Sequence, residues 1–272
     1  FLNYLLVPLY TAKLSAASGG YGVITNVYAY TALLMVILTY GMETTFFRFA
    51  NKEEENPQTV YTTTLISVGF TSLLFIALVL LFINPISAFM GYADHKSYIW
   101  VMAITVAIDA FQCIPFAYLR YKKRPIKFAA LKLLNIFMAI VLNIVFFLVL
   151  PSIYESSGGT GFISAIYDPT VGAGYAFYVN LFCSAFLTFF FWRELVAQKY
   201  TFSKALLRRM FSYSWPILVL GIAGILNQTA DKILFPYIYK GSDAHSQLGI
   251  YGAASKIAMI MAMITQAFRY AY

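Results

Sequence analysis

Apolar residues fall in runs of about 20 separated by short polar connections, and that is the length an α-helix needs to cross about 30 Å of hydrocarbon. Eight spans are predicted, at residues 1–14, 22–42, 60–83, 98–119, 128–150, 171–192, 213–239 and 248–270. Hydrocarbon offers no partner to backbone amides, so each span must satisfy its own. The runs lack the two-residue alternation of a membrane barrel strand, which leaves helices. The expected fold class is all-α, a polytopic transmembrane helical bundle. Phe1 lies inside one apolar stretch and Tyr272 inside another, so the first and last spans read as truncated pieces of a longer protein.

The connections alternate in charge. Arg48, Lys52, Arg120, Lys122, Lys123, Arg124, Lys127, Arg193, Lys199, Lys204, Arg208 and Arg209 lie in one set, and Lys13, Lys96 and Lys240 in the other. Basic residues accumulate on the cytoplasmic side, so the first set is expected there, together with the N-terminus. Residues 151–170 form a long outer loop whose GGTG lacks the lysine and the following helix of a phosphate-binding loop. Residues 193–212 form a basic, partly amphipathic inner segment expected to lie along the anionic leaflet and to join two halves.

Composition fits this picture: 61% of the residues are hydrophobic and 11% charged, against about 25% charged in soluble domains. The net charge of +8 would suit nucleic acid if it lined one soluble face. Here the cations alternate with spans, so topology explains them and no nucleic-acid partner is expected. Cys113 and Cys183 sit inside apolar segments, and His95 and His245 in short polar connections. No disulfide framework, metal site or cofactor is indicated, and no Walker A pattern is present to hydrolyse ATP.

A shift of 228 residues lays Asn3 and Pro8-Leu9-Tyr10 over Asp231 and Pro236-Tyr237-Ile238. With one deletion, Tyr21-Gly22-Val23-Ile24 then falls on Leu248-Gly249-Ile250-Tyr251. Weak internal symmetry of this kind marks transporter folds. It divides the chain into an N-terminal six-helix lobe at 1–192 (first helix truncated), a basic linker at 193–212, and the first two helices of an incomplete C-terminal lobe at 213–272.

A charge at the bilayer centre costs about 2.5–3.5 kcal/mol, so it faces a cavity or a partner. In the second span Asn26, Tyr30, Gly41, Thr44 and Arg48 share one side of a helical wheel, with Glu43 elsewhere. The fourth span carries Asp109, with Thr105, Gln112 and Cys113 a turn away. The fifth carries Lys132, Asn135 and Asn143 on one face, around Ala139. A Lys132–Asp109 contact would neutralise both charges; alternatively Asp109 binds a proton or sodium ion and Lys132 attracts an anionic substrate. In the seventh span Asn227 and Asp231 share a face beside Gln228 and Lys232. In the eighth, Gln266 lies on a stripe with Ser255 and Arg269, and Lys256 stands one position off it. Pairing of Asp231 with Lys256 or Lys232 is the structural alternative to ion coupling.

Three stretches resemble bacterial polysaccharide or oligosaccharide flippases of the multidrug/oligosaccharidyl-lipid/polysaccharide (MATE-like) superfamily: YGVITNVYAYTALLMVILTYGMETTFFRFAN (21–51), PFAYLRYKKRPIKFAALKLLNI (115–136), and SWPILVLGIAGILNQTADKILFPYIY (214–239) with LGIYGAASKIAMIMAMITQAFRYAY (248–272). The resemblance implies two six-helix lobes around a cationic cavity in the bacterial cytoplasmic membrane. It also implies a non-enzymatic transporter that moves a polyprenyl-pyrophosphate-linked oligosaccharide to the outer leaflet by alternating access, in contact with glycan polymerisation or export machinery. The family's acidic-aromatic-Arg ending of the second helix falls on Glu43 and Arg48, and its Asp-basic pair on Asp231 and Lys232. A pyrophosphate would be drawn to Arg48, Lys132 and Lys256 in a low-dielectric cavity. Asp109 and Asp231 are the candidate coupling acids, and Asn26, Asn135, Asn143, Asn227 and Gln266 would line the cavity. A cation-coupled multidrug exporter of the same fold is one competing reading. A membrane enzyme that polymerises or ligates lipid-linked glycans is another, although the 151–170 loop offers only Glu155 and Asp168.

Overall fold

The computed structural model describes residues 6–14, 20–156, 166–196, 199–239, 241 and 243–271, without the side chains of 257, 259, 260 and 262–271. Among the described residues all regular structure is helical: α1 Leu6–Lys13, α2 Gly20–Thr39, α3 Met42–Ala50, α4 Pro57–Leu81, α5 Ile83–Phe89, α6 Lys96–Tyr121, α7 Pro125–Ile144, α8 Leu150–Ser156, α9 Gly174–Phe189, α10 Trp192–Val196, α11 Lys204–Ile238 and α12 Ala244–Ala271. Five segments are long and apolar enough to cross a membrane: Gly20–Ala50, Pro57–Leu81, Ala93–Tyr121, Pro125–Ser156 and Lys204–Ile238. At 16 residues, α9 is about 24 Å long, short of the hydrocarbon thickness.

Local chemistry sets the boundaries. Asn56 opens α4 by accepting the Gln58 N–H at 2.9 Å, with Pro57 at the first helical position, where a missing N–H costs nothing. The predicted second span does not stop at 42. It breaks at Tyr40 (φ 32°) and Gly41 (φ 68°) and resumes as α3. One helical wheel therefore cannot carry Asn26 and Tyr30 into register with Thr44 and Arg48, and the expected five-residue stripe is cut in two. A π-helical turn at Val145–Val149 precedes Pro151, where the proline ring conflicts with the regular turn before it. Of the predicted inner linker, 192–196 is the short helix α10 and the basic residues from Lys204 onward are the first turns of α11. Residues 157–165 of the predicted outer loop lie outside the described residues.

The helices gather into two compact units that interleave along the chain. One comprises Phe1–Ala29, Ala139–Ala176 and Ala230–Tyr272; the other comprises Tyr30–Met138 and Phe177–Thr229. In the second unit α3, α4, α6 and the start of α11 close around Met42, Phe46, Tyr61, Ile114 and Met210, and Tyr61 stacks on Tyr118 at 4.0 Å between centroids. Three consecutive buried threonines begin that core. Thr62 Oγ1 donates to the Thr201 carbonyl at 2.6 Å and Thr63 Oγ1 accepts the Ser203 N–H at 3.3 Å, so the stretch that leads into α11 is stitched to α4.

In the first unit Tyr10 of α1 stacks on Tyr21 at 6.3 Å and meets Phe147 of the π-helical turn edge-on at 5.2 Å. Helices α2 and α12 approach through glycine. A Cβ on Gly22 would lie 1.7 Å from the His245 carbonyl oxygen, and one on Gly249 would lie 3.0 Å from the Gly22 nitrogen. One turn on, a Cβ on Gly252 would meet Thr25 Oγ1 at 2.6 Å. Gly22 and Gly249 are aligned by the internal repeat, and the same register aligns Thr25 with Gly252.

Candidate functional site

Pro236 organises the polar cluster of the first unit. Lacking an N–H, it leaves the carbonyl four residues earlier, that of Lys232, without its helical partner. Asn26 of α2 supplies one: its Nδ2 donates to Lys232 O at 2.8 Å. Lys232, only 8% exposed, places Nζ 3.0 Å from Asp231 Oδ2 and 3.2 Å from Oδ1. The same carboxylate accepts the Tyr251 hydroxyl of α12 at 2.5 Å, and the Lys232 ammonium lies 5.7 Å from the centre of the Tyr251 ring. Asp231 is thus paired with its sequence neighbour, and the half-buried Lys256 of α12 feels the Lys232 charge. In the same unit Asn143 accepts the Tyr10 hydroxyl at 2.7 Å and donates to the Ala139 carbonyl at 2.7 Å. Gln266 lies on α12, its side chain outside the described ones.

The second unit holds Asp109. Ser184 Oγ of α9 donates to its Oδ1 at 2.6 Å. One turn along α6, Gln112 Nε2 donates to the Ser184 carbonyl at 2.6 Å and to Thr188 Oγ1 at 2.8 Å, so α6 and α9 are laced by an acid, an amide and two hydroxyls. Lys132 does not pair with Asp109 among the described residues; its ammonium lies 4.0 Å from the centre of the Phe116 ring. Phe116 is itself fixed by Phe191 at 4.8 Å and Phe128 at 5.5 Å. Enclosed Asn135 Oδ1 has no hydrogen-bond donor among the described residues, and Asn227 is exposed.

Among the described residues three ion pairs hold other charges of this unit. Glu43 holds Arg120, Glu55 holds Arg209 at 2.6 Å, and Glu194, with a side chain 5% exposed, receives Lys127 at 2.7 Å. The Tyr61 hydroxyl donates to the Glu194 carbonyl at 2.9 Å. Arg48 is exposed and lies 4.1 Å from the centre of the Tyr213 ring. In the connection between α8 and α9, Asp168 accepts the Thr170 N–H at 2.9 Å and its hydroxyl at 2.8 Å. These bonds hold its carboxyl below the usual carboxylate range and commit it to a turn.

Sequence reasoning missed Tyr251, Tyr10, Ser184 and Glu194. Hydropathy does not separate a tyrosine that donates to a carboxylate from one in an interfacial belt. The Asn26 contact had a signal: a proline inside a membrane helix announces an orphan carbonyl one turn earlier, and some side chain must answer it.

Charged pairs held by protein groups on helices of membrane-spanning length define a multi-pass helical membrane protein. The chain matches the family described as polysaccharide biosynthesis protein over residues 1–269, and it belongs to that family. No curated protein and no solved structure matches it.

Proposed function

We propose that the protein is a flippase of the MATE-like superfamily in a bacterial cytoplasmic membrane, with its N-terminus inside. It carries a polyprenyl-pyrophosphate-linked oligosaccharide to the outer leaflet by alternating access and hands it to glycan polymerisation or export machinery. The lobes divide at the 193–212 linker. Membership of a polysaccharide biosynthesis family supports a glycan-carrying substrate. The observation that carries the mechanism is that the two acids are held differently. Asp231 is matched by Lys232 and Tyr251, whereas Asp109 has the Ser184 hydroxyl and no cation within ion-pairing distance among the described residues. Asp109 is therefore the coupling acid, taking up a proton or a sodium ion. Lys132 and Arg48, resting on aromatic faces and not on carboxylates, are the cations free to exchange a ring for the pyrophosphate, with Lys256 adding to the field. A cation–π contact is worth about 0.5–2 kcal/mol, less than a charge-assisted bond to phosphate provides.

Complementation of a flippase-deficient strain by the gene tests this reading. Lys132→Met, Arg48→Gln and Asp109→Asn are expected to lose surface glycan while the protein still reaches the membrane. Full glycan display by all three would remove the proposal, and export of cationic dyes by the wild type would favour a multidrug exporter.

A further inference from the structure

The ends of α4 and α6 farthest from the basic connections line, with α2 and α5, a half-open chamber of about 390 Å³ that the transport mechanism does not use. Leu33 and Leu34 of α2, Phe75 and Val79 of α4, Phe89 of α5 and Ile99 of α6 line it. Such walls offer water no hydrogen-bond partner, and among membrane-spanning helices the apolar matter available to fill the chamber is a lipid chain. A methylene is close to the ~30 Å³ that water occupies in the liquid, so the chamber takes on the order of ten of them, much of one acyl chain.

Next to the lining residues in sequence stand polar groups of both signs. Asn84 directly precedes Pro85 of the chamber wall, Lys96 stands one turn before Ile99, and the Lys96 ammonium donates to Asn84 Oδ1 at 2.8 Å. This leaves two ammonium hydrogens and both amide hydrogens of Asn84 for a phosphate. Two residues before Lys96, Asp94 is exposed and makes no ion pair among the described residues. His95 between them is stacked on Tyr98 at 4.9 Å. A lipid tail gains little by leaving the bilayer for walls as apolar as itself, so discrimination falls to the headgroup. One cation beside one anion matches a headgroup that is itself a phosphate beside an ammonium. A glycerol headgroup would leave Asp94 facing a phosphate, and a pyrophosphate would meet one lysine for its two charges.

We propose that this pocket holds one zwitterionic aminophospholipid, its chain in the chamber, its phosphate on Lys96 and Asn84, and its ammonium on Asp94. The proposal stands apart from the flippase reading, because it requires a membrane but no transported glycan. The test is native mass spectrometry of the purified protein after incubation with vesicles of equal phosphatidylethanolamine and phosphatidylglycerol content. The wild type is expected to retain one lipid and to favour the ethanolamine form about threefold to fivefold, the range an exposed charge pair provides. Asp94→Asn is expected to bring the ratio to parity, Lys96→Gln to lower occupancy of both lipids, and Ile99→Trp to abolish retention by filling the chamber. Asp94 and Lys96 are exposed, so their variants keep the fold and an unchanged circular dichroism spectrum. Equal retention of the two lipids by the wild type, retention indifferent to Lys96→Gln and Ile99→Trp, or preferential retention of a polyprenyl phosphate would each overturn the proposal.

Discussion

Asn26 shows how one side chain can decide whether a proline is tolerated in a membrane helix. Replacing it with leucine would keep the volume and remove the donor that meets the Lys232 carbonyl, at a cost of about 1–3 kcal/mol. Asn26→Leu is expected to lower the thermal unfolding midpoint of the purified protein, and Asn26→Leu with Pro236→Ala, which restores the helical N–H, to recover it. Glu194 and Lys127 make a second residue-scale case. Lys127→Met strands a carboxylate whose side chain is 5% exposed, a change worth about 3–5 kcal/mol when a buried partner is removed. The double change Lys127→Met with Glu194→Gln is expected to be milder than Lys127→Met alone in the same melting assay; equal losses would show that the pair is not a unit. Asp109, Lys132 and Asp231 were legible as residues of interest because a charge in an apolar run stands out. The pairing of Asp231 with Lys232 was legible too, but the other partners were not, because Ser184, Tyr251 and Phe116 are ordinary constituents of such a run.

Helices were the most legible element, since apolar runs of membrane length can satisfy their backbone in only one way. Interruptions were least legible: the turn at Tyr40–Gly41 rests on two positive φ angles, and tyrosine gives no hint of one. Where it occurs it redirects Arg48 relative to Asn26, so a wheel drawn across it fails. The glycines of α2 and α12 matter at this scale, because each sits where a Cβ would strike the other helix. A Cβ on Gly252 would lie 3.2 Å from that of Thr25, slightly inside the usual disulfide separation of about 3.5–4.5 Å. Thr25→Cys with Gly252→Cys is therefore expected to cross-link under mild oxidation. If transport requires these helices to part, oxidation stops it and reduction restores it; a cross-linked protein with undiminished transport would show that this contact stays closed throughout the cycle. Gly22→Leu is expected to disrupt the same approach and reduce glycan display.

For the whole molecule, composition alone separated a membrane bundle from a soluble fold, and the alternation of basic connections gave an order to its spans. The way the described residues group into two interleaved units was out of reach, because which helices share a core depends on contacts among Phe46, Tyr61, Ile114 and Met210, far apart in the chain. Gly22 and Gly249, which the predicted repeat sets in register, lie against each other. The charges divide by role: Glu43, Glu55, Glu194 and Asp231 hold cations, while Lys132 and Arg48 rest on aromatic rings and Asp109 on a hydroxyl. The most direct test is translocation of a fluorescent polyprenyl-pyrophosphate oligosaccharide in proteoliposomes, followed by an impermeant quencher under imposed proton or sodium gradients. The wild type should move the lipid at a rate that responds to one of these gradients, Asp109→Asn should abolish that response, and Lys132→Met should slow movement under every gradient. Wild-type movement no faster than in empty vesicles, or gradient-dependent movement unchanged by both substitutions, would contradict the assignment.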